Sequence, residues 1–287
     1  MDTVNKVCVF IRGAARTWNY TKQSILSTLN YYFQNPDFYF LTVDSGTVSD
    51  QSLSEDFKDS NLIHKKIIPI DAAILPFEGK RNTSTKWNDF STNYFRMAWY
   101  DWHLGIVKRE HEIQTGKRYN LIFYTRPDCF LGNLYQEPFN LKYSRITEQD
   151  IIGIIGERRA IRFGEVVTND INYIAGARAA NIFNCRYYDT KYTDGKSFQG
   201  THGDHQNIAY YLYKNFITAR HSEYPLPGGP MVRPNALEYL MTSTDNDHIK
   251  YQKLDTYVKQ FLDLPSNEKI KLCKQYNIGT YDYQRFF

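Results

Sequence analysis

Four groups of residues in this chain have the types and spacing to do chemistry. The first is Arg126 and Asp128, which flank Pro127 at the end of the run Tyr119-Asn-Leu-Ile-Phe-Tyr124. A short aromatic and β-branched run predicts a buried strand, and proline, lacking a backbone N–H, stops it. Asp128 is therefore expected at the carboxyl end of a strand, where open α/β sheets bind ligands. Two readings stand side by side. The pair could serve a phosphate together with a hard cation such as Mg2+ or Mn2+ at Asp128, or it could be an ion pair that closes a turn. Arg126 could also neutralise a leaving phosphate without a metal.

The second group is Arg12-Gly13-Ala-Ala-Arg16, followed by Thr17. Small residues after a strand let backbone amides approach an anion, and two arginines four apart add forked donors for phosphate. Such a turn is expected to pack little against a core, so both arginines are expected to serve affinity rather than fold. The plainer reading is a strand-to-helix turn with solvated arginines. The third group is His202-Gly-Asp204-His205-Gln-Asn207, suited to sugar hydroxyls or to one metal bond from His205; an N-capping Asp with surface histidines explains it equally. The fourth is Asp170, a candidate base or sugar contact before Ile171-Asn-Tyr-Ile-Ala-Gly176, or else a turn residue.

These groups need elements to hold them. Lys6 to Ile11 is continuously apolar, as a central parallel strand requires. Thr17 can cap a helix whose inner face carries Ile25, Leu26 and Leu29. Phe38 to Val43 is a second strand, and His64 to Asp71 a third, peripheral one because Pro69 suits an edge. Ser45 to Ser60 reads as a loop with room for a short helix. Ser91 to Thr115 has helical spacing at Tyr94, Met97, Ala98, Asp101 and Trp102, with Gly116 at the C-cap position. Further strands are expected near Ile151 to Ile155 and Asp170 to Gly176, the latter running into a helix at 177–183. A helix is expected from His202 to Phe216, a loop at Pro225 to Pro230, and two short helices after Tyr251 split at Pro265. Alternating strands and helices define an α/β class with a mostly parallel sheet.

Composition narrows the function. The chain has 287 residues, 42% hydrophobic and 16% aromatic, enough for one large core. A net charge of +4 permits nucleic-acid contact without arguing for it. No apolar run approaches the ~20 residues of a membrane span. The N-terminus lacks a signal-peptide pattern, so a cytoplasmic protein is expected. Four scattered cysteines with no CxxC pair read as buried thiols in a reducing compartment. The dinucleotide, Walker, nucleophile-elbow, zincin and kinase signatures are absent.

With these segments placed, the chain resembles GT-A-type nucleotide-sugar glycosyltransferases. The resemblance is to the viral, phage and microbial family whose strand carries a Tyr-Asp-x-Ile-x-x-x-Arg-x-Asp-like element. Here that element is Tyr119-Asn-Leu-Ile122-Phe-Tyr-Thr-Arg126-Pro-Asp128, and Val9-Phe-Ile-Arg-Gly-Ala-Ala-Arg-Thr-Trp18 is similar to the family's opening strand and basic turn. Arg126 stands where the usual Asp-x-Asp has its first acid. Asp204-His-Gln-Asn207 resembles an Asp-Gln-x-x-Asn element that follows the sugar site. The resemblance implies a GT-A-like, Rossmann-related catalytic domain over 1–245 with a helical extension, 246–287, packed on it. It implies a hexosyl- or pentosyltransferase using a nucleotide sugar such as a UDP-sugar, with Mn2+ or Mg2+ at Asp128 and His205. Arg12, Gly13, Arg16, Thr17, Arg126 and Asp128 would bind the nucleotide, and Asp170 and Asp204 would lie near the transferred sugar. The stereochemical course stays open. The acceptor would be a glycan, as on a viral capsid, or modified DNA such as a phage 5-hydroxymethylcytosine. For DNA, Lys80, Arg81, Lys86, Arg158, Arg159 and Arg162 would form a basic rim and Trp87 or Tyr94 a wedge. A non-catalytic nucleic-acid-binding protein and a nucleotidyltransferase are the alternatives.

Overall fold

Alternation along the first strand decides how the sheet is covered. In a computed structural model, residues 6–44, 46–69, 88–132, 137–139, 146–153, 172–187, 211–212, 215–221, 227, 229–276 and 278 are described. Strand β1 (Val7–Arg12) is buried throughout and pairs in parallel with β2 (Asp37–Val43) and β4 (Leu121–Thr125). Side chains in a strand alternate between faces. Val7, Val9 and Ile11 join Phe38, Phe40, Leu121 and Phe123 under helix α1 (Trp18–Phe33), where Ile25, Leu26 and Leu29 point inward as expected. Cys8 and Phe10 join Tyr39, Leu41, Ile122 and Tyr124 on the opposite face. That face is covered by α3 (Asn88–Thr115), through Tyr100 and Leu104, and by α4 (Ala177–Asn184), through Ala179, Ala180 and Phe183. Helix α3 ends at Gly116, whose φ of +69° is the left-handed stop that the sequence anticipates.

The sheet of the described residues has seven strands in the order β3-β2-β1-β4-β6-β5-β7. β3 (Asn61–Ile68) lies at one edge, and Pro69 follows directly after its last residue, in keeping with a peripheral strand. Between β2 and β3 the loop holds helix α2 (Asp50–Asp56), begun by a reciprocal capping box of Ser49 and Ser52. β5 (Asp150–Gly153) pairs in parallel with β7 (Thr218–His221). β6 (Tyr173–Gly176) runs antiparallel to both of its neighbours, β4 and β5. The second strand-to-helix unit therefore exists, but it points the opposite way from the first. The class is α/β, with a mostly parallel mixed sheet and a helical C-terminal part.

That part consists of a single 3-10 turn at Pro234–Ala236, α5 (Leu237–Thr242), α6 (Asp247–Asp263) and α7 (Ser266–Gln275). Asn246 caps α6 by accepting from Ile249 N–H at 3.0 Å, and Pro265 separates α6 from α7. Val232, Leu237, Leu254, Phe261, Cys273 and Ile278 form its own small core around Phe130, with Tyr20 packed against it. Phe130 follows β4 and Tyr20 belongs to α1, so this core rests on the carboxyl side of the main sheet.

Candidate functional site

The parallel strands β3, β2, β1 and β4 end on one rim, and two turns leave that rim side by side. The first follows β1. Gly13 has φ +121°, its N–H donates to Leu41 O at 3.2 Å, and a Cβ there would sit 3.7 Å from Pro127 Cδ. A side chain other than hydrogen would strain that backbone. Ala15 N–H donates to the Thr42 hydroxyl at 3.0 Å. The second turn follows β4 and is tied to the first, because the Thr21 hydroxyl of α1 donates to Pro127 O. Thr17 occupies the N-cap position of α1, yet its side chain makes no capping bond, so its expected capping role is not observed. Its hydroxyl is buried with no hydrogen-bond partner among the described residues.

Arg126 and Asp128 form the ion pair that one of the two sequence readings anticipated. Arg126 Nε and one terminal nitrogen donate to the two carboxylate oxygens, each at 2.8 Å. Forked pairing of this kind is strong and directional. The Asp128 backbone is held too: Val232 N–H donates to its carbonyl at 2.7 Å, Cys129 bridges Met231, and Phe130 N–H donates to Pro230 O at 3.0 Å. The chain at 229–233 is thus zipped against 128–130. Gly229 permits the approach, since a Cβ there would lie 1.6 Å from Phe130 O. Burial disfavours the charged form of Asp128. The charge and hydrogen bonds of Arg126, with the charges of Arg16 and Arg233, outweigh burial and hold the carboxyl at about 2.

A hard divalent cation does not fit this arrangement. It requires carboxylate oxygens as ligands, whereas both Asp128 oxygens face Arg126 and two further guanidinium groups act on them. Among the described residues no cluster of three His, Cys, Asp or Glu side chains could hold a metal.

Arg12 departs from expectation. Its side chain is 1% exposed and turned into the interior, so the expected absence of core packing does not hold. Position 12 continues the register of Cys8 and Phe10, which brings it to the α3 face. There its guanidinium pairs with the buried Asp101 of α3, donates to Tyr173 Oη at 2.7 Å and reaches Thr125 O at 3.2 Å. Arg186 pairs with the second Asp101 oxygen, and the Tyr173 hydroxyl donates to it at 3.1 Å. The Arg12 guanidinium lies 5.3 Å and 5.1 Å from the ring centres of Tyr124 and Tyr173. Burial opposes its charge, but Asp101 more than compensates and raises its pKa. Just before the neighbouring strand β6, Asn172 Oδ1 accepts from the Thr125 hydroxyl at 2.6 Å. Both contacts fix the last residue of β4, from which Arg126 departs.

Gly13, Arg16, Thr17, Arg126 and Asp128 are therefore brought to one rim, with Arg12 beneath it. Asp170, Asp204 and His205 lie outside the described residues, as do Lys80, Arg81, Lys86, Trp87, Arg158, Arg159 and Arg162, and the Tyr94 side chain. Sequence reasoning missed Arg233, Asn172 and Arg186, and read Asp101 only as a helical position. The four cysteines are free; Cys8, Cys129 and Cys273 are buried and Cys185 is exposed. Among the described residues no helix is long and apolar enough to cross a membrane.

No protein-family model and no curated protein sequence matches the chain. Solved structures align with it at low similarity. The apo-form glycosyltransferase GlyE of Streptococcus pneumoniae aligns over 75% of this chain and 44% of its own, at 11% identity and TM-score 0.38. The chain thus spans less than half the length of that protein. A glycosyltransferase involved in glycosylation of the major capsid of PBCV-1 aligns over 88% of this chain and 99% of its own, at 7% identity and TM-score 0.38. A nucleoside-diphosphate-sugar pyrophosphorylase from Vibrio cholerae aligns over 75% of this chain and 91% of its own, at 10% identity and TM-score 0.39. At this level the side chains of the rim must carry any functional reading.

Proposed function

We propose that this protein transfers a sugar from a nucleoside diphosphate sugar to a hydroxyl acceptor. The observation that carries the reading is the forked pair of Arg126 and Asp128 where the parallel strands end, with the charges of Arg16 and Arg233 acting on the same carboxylate. The strand order reverses at this place: the chain moves outward from β1 to β2 and β3, then returns to the other side of β1 as β4. Open α/β sheets hold ligands in the crevice at such a reversal. Guanidinium groups suit a diphosphate there, and the resemblance of Tyr119 to Asp128 to a glycosyltransferase element supports the same substrate class.

In this reading the turn at 13–17 carries the nucleotide and the arginines face its diphosphate. The acceptor oxygen attacks the anomeric carbon. The bond from that carbon to the phosphate oxygen breaks, and the electron pair leaves with the nucleoside diphosphate. The arginines stabilise the charge that develops on the leaving group. Asp170 or Asp204 takes the acceptor proton or holds the sugar hydroxyls, and His205 reaches toward the diphosphate. Glycans and hydroxymethylated DNA bases both offer suitable hydroxyls.

Thermal-shift screening with UDP, GDP and CMP sugars tests the reading, because a ligand of the folded state raises the transition by mass action. At least one nucleoside diphosphate sugar is expected to raise Tm; failure of all of them, or a shift with the CMP sugar alone, overturns the proposal. With the active donor, Asp204→Ala is expected to keep nucleotide binding while transfer falls at least ~10²-fold, the scale of one lost transition-state contact.

A further inference from the structure

The turn that carries Arg126 and Asp128 is bracketed by one buried amide. Asn172 stands just before β6, and the antiparallel register that sets Tyr173 opposite Tyr124 brings it opposite Thr125. Its side chain is 1% exposed. The carboxamide oxygen accepts from the Thr125 hydroxyl at 2.6 Å. The nitrogen lies 3.5 Å from Gly229 O and 4.0 Å from Cys129 Sγ. Thr125 directly precedes Arg126, and Cys129 directly follows Asp128. Gly229 begins the segment that closes on 128–130 from the other side. A carboxamide presents an acceptor at one end and donors at the other, so it can serve a hydroxyl and a carbonyl at once. A carboxylate of the same shape would set an oxygen against Gly229 O, and an alkyl side chain would serve neither group.

From this juxtaposition we infer that Asn172 is a positioning residue, which holds the turn of Arg126, Pro127 and Asp128 from both ends and so sets the geometry of the forked pair. Both partners of that pair belong to the same three-residue turn, so their mutual orientation follows from the backbone between them. Pro127 fixes its own φ. The remaining freedom lies at Arg126 and Asp128, each next to a residue that Asn172 touches. Loss of the amide would leave buried polar groups unsatisfied, a cost larger than the bond itself contributes, and the turn could relieve it only by moving. What this positioning does for sugar transfer rests on the proposed nucleotide-sugar reading; the positioning itself does not.

The test is heteronuclear NMR of the whole, isotope-labelled chain. The Arg126 Nε–H signal, identified by its loss in Arg126→Lys, reports the bond to Asp128 Oδ1. The Trp18 indole N–H, bonded to Asp56 Oδ2 at 2.7 Å and identified by its loss in Trp18→Phe, reports the main core. In Asn172→Leu the Arg126 signal is expected to shift and to exchange with solvent about 10-fold faster, while the Trp18 signal keeps its wild-type position. Asn172→Asp should show the same change at about pH 7.5 and return toward the wild-type signal at about pH 5, with wild type measured at each pH. Burial raises the pKa of the new carboxyl, and its protonated form regains a donor for Gly229 O. Asp128 stays ionised over that range, so the pair itself is not titrated. Thr125→Val removes the hydroxyl bond alone at nearly constant shape. It should move the Arg126 signal in the same direction by less, and it replaces Asn172→Leu if that variant does not fold. An unmoved Arg126 signal in the folded variants overturns the inference, and so does a Trp18 signal displaced along with it, which would make Asn172 a packing residue of the whole core. Neither result touches the transfer reading. Failure of every nucleotide sugar to raise Tm removes that reading and leaves the Arg126 result standing.

Discussion

Two arginine–aspartate centres meet at the end of β4. In the interior centre, Arg12 and Arg186 share Asp101, and all three side chains are at most 1% exposed. At the rim, Arg126 pairs with Asp128, but the arginine side chain is 16% exposed. The interior cations are ringed by Tyr124, Tyr173 and Phe183, while the rim cations border the place where the sheet reverses its strand order. The same chemistry thus serves two ends. A charge pair sealed in low dielectric is costly to break because the survivor stays buried. A pair with one partner reaching the surface is less costly to break, because solvent can take up part of the charge left behind.

The largest effect should come from breaking the interior centre. Asp101→Ala removes the carboxylate shared by two buried guanidinium groups and is expected to cost about 3–5 kcal/mol of unfolding free energy, read by urea denaturation. A loss within the ~0.5 kcal/mol of an ordinary surface substitution would erase the distinction between the two centres. At the rim the balance should invert. Asp128→Asn removes the charge that orients Arg126, so diphosphate affinity is expected to fall by ~1–3 kcal/mol in titration calorimetry, with a smaller stability loss than Asp101→Ala. Unaltered affinity in a folded Asp128→Asn protein would reduce this pair to a turn closure.

Acid separates the centres more gently. The Asp128 carboxyl at about 2 lies below the ~4 of an unfolded aspartate. Its contribution to stability is complete above about pH 4 and is lost as pH falls toward 2. A different part of the molecule responds earlier. His103 of α3 stacks on Trp99 and lies near His64 of β3, with ring centres 5.3 Å and 6.0 Å apart respectively. Burial, then the charges of Lys66 and His64, lower the His103 pKa to about 4. An unfolded histidine protonates near 6.5, so this site is expected to lose stability as pH drops from about 6.5 to 4. His103→Gln should flatten the stability–pH curve over that window alone. Identical slopes in wild type and variant would show that His103 is not the group titrating.

The two centres were unequally legible in the sequence. Continuous apolar runs in β1, β2 and β4 marked central parallel strands because both their faces are covered. Pro69 marked an edge strand, though the strand stops before it rather than running on to Asp71, and Gly116 and Pro265 marked helix ends for simple backbone reasons. Arg12 and Arg16 looked alike as members of one small-residue turn. The difference was present in the alternation of β1, since Cys8, Phe10 and Arg12 share a face, but an inward arginine makes sense only once Asp101 and Arg186 arrive from elsewhere. The direction of β6 was hidden because four apolar residues carry no sign of parallel or antiparallel pairing. Arg233 had no local signal at all; only the bridge of Met231 to Cys129 brings its segment to the rim. Asp170, Asp204 and His205 remain proposals resting on their residue types.

The bridge between 128–130 and 229–233 also has a consequence in time. Arg16 and Arg126 are made early and can take their places once β1 and β4 pair. Arg233 is made much later and is secured by the helices that follow it. On the ribosome, the main parallel strands can assemble well before Arg233 emerges, so a nascent chain would possess those strands before 229–233 is zipped against 128–130. The setting of the Asp128 backbone is thereby a later event than the pairing of the first strands.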